Sequence, residues 1–211
     1  MRIDDTIKIF KFGVEPYVSD FSKKSEQEIV LFPLNNDPIG DNFISYITPQ
    51  GVTDKSILKN APNPDITIAG VKKKAGIIVD ISKNVLYRYD SDGNPVNAYL
   101  IASGKKSTPT DKGVRIVTHK EKFPYKTAPR GTKRRRHPRD YGPMIICLKK
   151  LDPKTGEQSK TGEFIHGCRS YYKTFEATPD RYVSGGCMRM DNEVIKVLAK
   201  EVQKGEIVII K

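Results

Sequence analysis

The stretch SGGCMRM, residues 184–190, sets Cys187 behind two glycines and just ahead of Arg189. A thiol must lose its proton before it attacks a carbonyl, so a cysteine works as a nucleophile only beside a base or in a positive field. The chain holds three histidines, His119, His137 and His166. His137 lies inside a run of basic residues, whereas His166 ends a strand-like segment, is followed by Gly167 and precedes Cys187 by 21 residues. That is enough chain to fold back, which makes His166 and Cys187 the leading pair. Gly185 and Gly186 remove side chains on the N-terminal side of Cys187, so backbone N–H groups there could turn toward a developing oxyanion. Asp191 reads as the start of a helix, whose N-terminal field favours a nearby thiolate, and Arg189 adds positive charge.

Two other readings stay open from the residues alone. A free cysteine is often a buried apolar group, and Gly-Gly before a helix is an ordinary turn. A zinc site could be assembled from His166, Cys168 and Cys187 with Cys147 or His137 as a fourth group. No CxxC or HxxxH spacing supports it, so the expectation is no metal and no cofactor. Three cysteines also form no disulfide framework and leave at least one thiol unpaired within a monomer.

The elements that must carry this pair are mostly strands. GIIVDI (76–81) and VLYRYD (85–90) are strand-like, and SDGN (91–94) supplies a hairpin turn before VNAYLIAS (96–103). VRIVTH (114–119), PMIICL (143–148), EFIHG (163–167) and EIVII (206–210) add further strands. One helix is predicted, with Asp191 as N-cap, Val194, Ile195, Val197, Leu198 and Val202 along one side, and Gly205 just past its end.

The net charge of +12 is uneven: residues 1–74 hold ten basic and ten acidic groups, so the remainder carries all of it. That asymmetry puts a boundary at the Lys72-Lys73-Lys74 run, with residues 1–74 an extended arm or small subdomain and 75–211 the main domain. Within the arm, TIKIFKF (6–12) alternates as a short strand, and LFPLNNDPIGDN (31–42) and NAPNPD (60–65) read as loops. Residues 120–139 carry nine basic groups against Glu121 alone. Such a run is a solvated loop or a patch that meets a polyanion, nucleic acid or an anionic wall polymer. Phe123 and Tyr125 are its only aromatics, a weak stacking platform that argues against nucleic acid. No apolar run is long enough for a spanning helix, and the acidic start MRIDD is unlike a secretory signal.

Together, His166-Gly167 and Ser184-Gly185-Gly186-Cys187-Met188-Arg189 resemble the signature of the L,D-transpeptidase catalytic domain family. The upstream segments GIIVDISKNVLYRYD and SGKKSTPTDKGV (103–114) are similar to that family as well, so the resemblance covers about 75–211. It implies a mostly β fold, a bent mixed sheet or β-sandwich with one helix in the C-terminal region. It also implies cysteine acyl transfer on peptidoglycan stem peptides in the periplasm or cell envelope. Cys187 would attack the carbonyl of the third stem residue and expel the terminal D-alanine, with His166 taking and returning the proton. Backbone N–H groups of Gly186 and Cys187 would hold the oxyanion, and Ser184 would orient the loop or the imidazole. Gly167, Gly185 and Arg189 are the implied substrate-binding positions, joined by Tyr141, Tyr171 and Tyr172 from their place between the two motifs.

An amine acceptor gives a 3→3 crosslink, and water gives carboxypeptidase activity. Two departures from the family pattern stand out: Gly185 occupies a position that is often larger and basic, and Cys168 puts a second thiol near Cys187. A disulfide between those two would switch the enzyme off. The competing class is a non-catalytic module of an envelope or a particle, for example a virion-associated phage tail component, held by the basic loop and by a protein partner of residues 1–74.

Overall fold

Continuous apolar runs give strands that can be buried on both faces, as IIVD (77–80) and IVII (207–210) are here. The computed structural model describes residues 47–123, 140–169 and 180–211. In chain order its strands are β1 (Ile47–Thr48), β2 (Gly51–Val52), β3 (Asp65–Ile68), β4 (Val71–Lys74), β5 (Ile77–Asp80), β6 (Val85–Tyr89) and β7 (Pro95–Leu100). They continue with β8 (Ser103–Gly104), β9 (Gly113–Lys122), β10 (Met144–Leu151), β11 (Gln158–His166), β12 (Tyr182–Ser184), β13 (Met188–Arg189) and β14 (Ile207–Ile210). Helix α1 spans Asn192–Glu201, and a 3-10 helix spans Lys55–Asn60. Eight strands form one sheet in the order β13-β11-β10-β9-β14-β5-β6-β7. The sheet is mixed, because β11 with β13 and β14 with β5 run parallel and the other neighbours antiparallel.

One face carries Ile77, Val79, Leu86, Ile146, Leu148, Ile165, Met188 and Val208 against α1. Asp191 caps α1 by accepting from the Glu193 and Val194 N–H groups, as its position in the sequence predicts. The helix buries Val194, Ile195, Leu198 and Ala199, each large aliphatic side chain contributing about 1.5–3 kcal/mol. Val197, expected on this stripe, is 49% exposed. At 3.6 residues per turn it falls beside the stripe, and Ala199 takes the inward place.

The opposite face carries Ile78, Val85, Tyr87, Tyr89, Ala98, Leu100 and Ile207, covered by Ile47, Ile57, Leu58 and Ile68. Residues 47–74 thus lie on the sheet, tied by the Val52 N–H to Asn97 Oδ1 (3.1 Å) and the Tyr89 hydroxyl to the Pro62 carbonyl (2.5 Å). The Lys72-Lys73-Lys74 run belongs to exposed strand β4, which pairs with β3 around a turn in which Ala69 and Gly70 both have positive φ. The expected strand at 6–12 and loop at 31–42 lie outside the described residues. Among those described, no helix is long and apolar enough to cross a membrane.

Candidate active site

His166 is the last residue of β11, and Cys187 immediately precedes β13, the neighbouring parallel strand. Ile165 pairs with Met188 and His166 with Arg189. Ile165 and Met188 point into the core under α1, so alternation turns His166, Cys187 and Arg189 to the other face. Neighbouring strands are about 4.8 Å apart, which brings the imidazole and the thiol onto one small patch. Both are buried, at 2% and 4% exposure.

The imidazole is fixed in tautomer and orientation. Its Nδ1 lies 2.5 Å from the Gly167 carbonyl, which can only accept, so Nδ1 carries the proton and Nε2 offers the lone pair. Tyr141, expected to line a groove, is 5% exposed and packs edge-on against the His166 ring at 4.8 Å and against Phe164 at 5.7 Å. It walls the imidazole instead. Gly167 has a packing role too, because a Cβ there would meet Asn192 Oδ1 at 2.4 Å and Pro143 Cδ at 2.8 Å.

The loop around Cys187 is held from within. Ser184 Oγ donates to the Cys187 carbonyl at 2.6 Å and accepts the Gly186 N–H at 3.1 Å. Ser184 therefore ties the loop together. The Gly186 N–H, expected to face an oxyanion, is turned onto Ser184, because a three-residue turn closes on the nearest buried acceptor. Gly186 adopts φ +113°, which an L side chain rarely takes, while Gly185 is exposed at the tip. The Cys187 thiol reaches the Gly162 carbonyl at 3.7 Å.

Several further residues shape this site. The Ser184 carbonyl accepts from the Lys105 N–H (3.0 Å) and the Thr108 hydroxyl (3.2 Å), so the segment KKSTPT braces the loop. Asn192 clamps Cys168 through both its backbone groups, at 2.9 and 3.0 Å. Beside Gly162, Glu163 binds buried Arg115 at Nε (2.8 Å) and takes the Asp111 N–H (2.8 Å). The Arg189 Nε is buried without a hydrogen-bond partner among the described residues. Cys147, Cys168 and Cys187 are all buried. Tyr171, Tyr172, His137 and most of the basic loop lie outside the described residues.

A strand-borne histidine beside a cysteine in a glycine turn brings together the residue types that a cysteine nucleophile requires. The L,D-transpeptidase catalytic domain family (YkuD) matches residues 74–210, and the chain belongs to that family, whose members act on peptidoglycan. The chain is similar to a solved Enterococcus faecium L,D-transpeptidase mutant, at 24% identity over 65% of this chain and 49% of that one with a TM-score of 0.45. It is also similar to Bd1075 of Bdellovibrio bacteriovorus, at 20% identity over 71% of this chain and 52% of that one with a TM-score of 0.48. The chain spans about half the length of these two. No curated protein matches it.

Proposed function

We propose that this chain is a cysteine acyltransferase acting on peptidoglycan stem peptides. His166 Nε2 takes the Cys187 proton as the sulfur attacks the carbonyl of the third stem residue. The C–N bond to the terminal D-alanine breaks, the imidazolium returns its proton to the leaving amine, and a Cys187 thioester remains. The Cys187 N–H stabilises the oxyanion, while Ser184 and Gly186 hold the turn that aims it. Arg189, whose Nε is buried and unpaired, orients the loop or a stem-peptide carboxylate. An amine from a second stem then gives a 3→3 crosslink and water gives the free acid.

The observation carrying this reading is that His166 and Cys187 share one face of adjacent strands with the His166 Nδ1 proton held by Gly167. In the same reading the protein works in the cell envelope. Residues 75–211 are the catalytic domain, 1–74 an arm that docks it, and 120–139 a contact for an anionic wall polymer.

The test is mass spectrometry of a tetrapeptide stem incubated with the full chain. Loss of one alanine residue, or a dimer joined 3→3, is expected. Cys187→Ala should abolish it and His166→Ala nearly so, with unchanged circular dichroism. Undiminished turnover by the folded Cys187→Ala protein would falsify the assignment.

A further inference from the structure

We propose that His119, Glu121 and Cys147 form a binding site for a thiophilic divalent cation of the zinc class, separate from the acyl-transfer residues. The three donor atoms lie within 4.8 Å of one another. The carboxylate of Glu121 is 8% exposed and Cys147 6%, while His119 is half exposed and gives an ion its route from solvent.

The cluster is built by an irregularity in the sheet. On β9 and β10, Cys147 pairs with His119 but Leu148 pairs with Val117, so Thr118 is an extra residue on β9. Val117 and Leu148 both face the core under α1. Without the bulge, His119 and Glu121 would follow Val117 onto that face, because side chains alternate along a strand. The bulge turns them to the side of Cys147, and Lys120 goes the other way, with its ammonium on the Val202 carbonyl at the end of α1. Bulges commonly re-aim side chains at functional positions.

The hydrogen bonds around His119 suit a metal ligand. The Thr118 hydroxyl donates its single proton to the Cys147 carbonyl at 3.1 Å. It can then accept at its 3.0 Å contact with His119 Nδ1, in the tautomer with the imidazole proton on Nδ1. His119 Nε2 then faces Glu121 Oε1 at 3.0 Å. In that tautomer Nε2 and Oε1 turn lone pairs toward one another, an arrangement in which a metal ion would take both. Nδ1–H to a hydroxyl is the outer hydrogen bond that metal-bound histidines carry.

The donor set selects the metal. One sulfur, one imidazole and one carboxylate suit zinc rather than calcium or magnesium. Zinc held at about 2.0–2.3 Å from each donor asks only for small side-chain rotations. A Cys147 thiolate and the Glu121 carboxylate neutralise its charge, with the thiol proton released to solvent. A fourth position is open to water through the His119 side. Such an ion would staple β9 to β10 on the face that also bears His166 and Cys187, at the strand ends from which residues 124–139 depart.

The experiment uses the full chain carrying Cys187→Ser, so that the nucleophile thiol takes no part, stripped with chelator and reductant. Zinc alone is titrated by calorimetry and cobalt(II) by absorbance. Expected are one equivalent of zinc and a sulfur-to-cobalt charge-transfer band. In the same background His119→Ala, a half-exposed position whose loss leaves the core intact, and Cys147→Ala should abolish tight binding. Thr118→Val should weaken it by about 10- to 100-fold. No zinc binding, a cobalt complex without the thiolate band, or affinity unchanged by His119→Ala would each overturn the site.

Discussion

The Ser184 hydroxyl bridges the Cys187 turn, donating to the Cys187 carbonyl at 2.6 Å while accepting the Gly186 N–H at 3.1 Å. Ser184 is 1% exposed, so water cannot replace it. Ser184→Ala leaves two buried backbone groups unsatisfied and should cost about 1–3 kcal/mol each. A misaimed thiol should also lower kcat by up to about 100-fold. Urea denaturation and single-turnover acylation separate the two effects. Wild-type acylation in the Ser184→Ala protein would remove Ser184 from the turn's function.

Glu163 is the partner of an arginine that is 2% exposed. Glu163→Ala leaves the Arg115 guanidinium with the exposed Asp111 carboxylate at 3.5 Å and should destabilise the fold by about 3 kcal/mol. Glu163→Gln keeps an acceptor for the Asp111 N–H and should cost less. The pair is read from urea midpoints at constant slope; equal losses would show that the charge is unimportant.

The three thiols should differ in reactivity. Burial, with a smaller contribution from Glu121, pushes the Cys147 thiol up to about 12. In metal-free native protein at pH 8, iodoacetamide should therefore leave Cys147 unmodified. Unfolding in urea should make all three thiols react. Peptide mapping that finds Cys147 carbamidomethylated in the native state would contradict its burial.

Acid should destabilise the fold through paired carboxylates. Asp111 is held below the ordinary value by the Lys150 hydrogen bond, Asp65 by that of Lys74, Asp54 by the Ser56 backbone and hydroxyl, and Asp90 by Asn94. Lowered folded-state values mean that the unfolded chain binds more protons near pH 4 and below. This contribution is complete above the unfolded value and is lost as pH falls through the folded ones. Denaturant midpoints should fall from pH 5 to pH 3, and less so in Asp111→Asn protein, in which one of these carboxylates is gone.

The main strands were legible because their apolar runs are unbroken and bounded by turn residues, and α1 because Asp191, its stripe and Gly205 agree. The β3–β4 hairpin was hidden by three consecutive lysines on an exposed strand, whose charge reads as a boundary. Cys187 and His166 could be singled out by residue type and by the glycines around them. Tyr141 was assigned to a groove because sequence position says nothing of depth, and its burial against His166 emerges only from the fold. Arg115 and Glu163 lie 48 residues apart, and Asn192 and Cys168 meet only once the chain has folded back, so no local pattern announces either contact.

Thr118 gives β9 one residue more than β10 between the paired positions that flank it. The face on which His119 and Glu121 emerge is therefore decided by Thr118 standing outside the alternation. Drawn into regular pairing, Thr118 would send the imidazole and the carboxylate beneath the helix and away from the thiol; deleted, it would leave His119 directly after Val117 and all three groups together. A substitution at any of the three changes the chemistry of this corner; the place of a fourth residue in the register decides whether the corner exists.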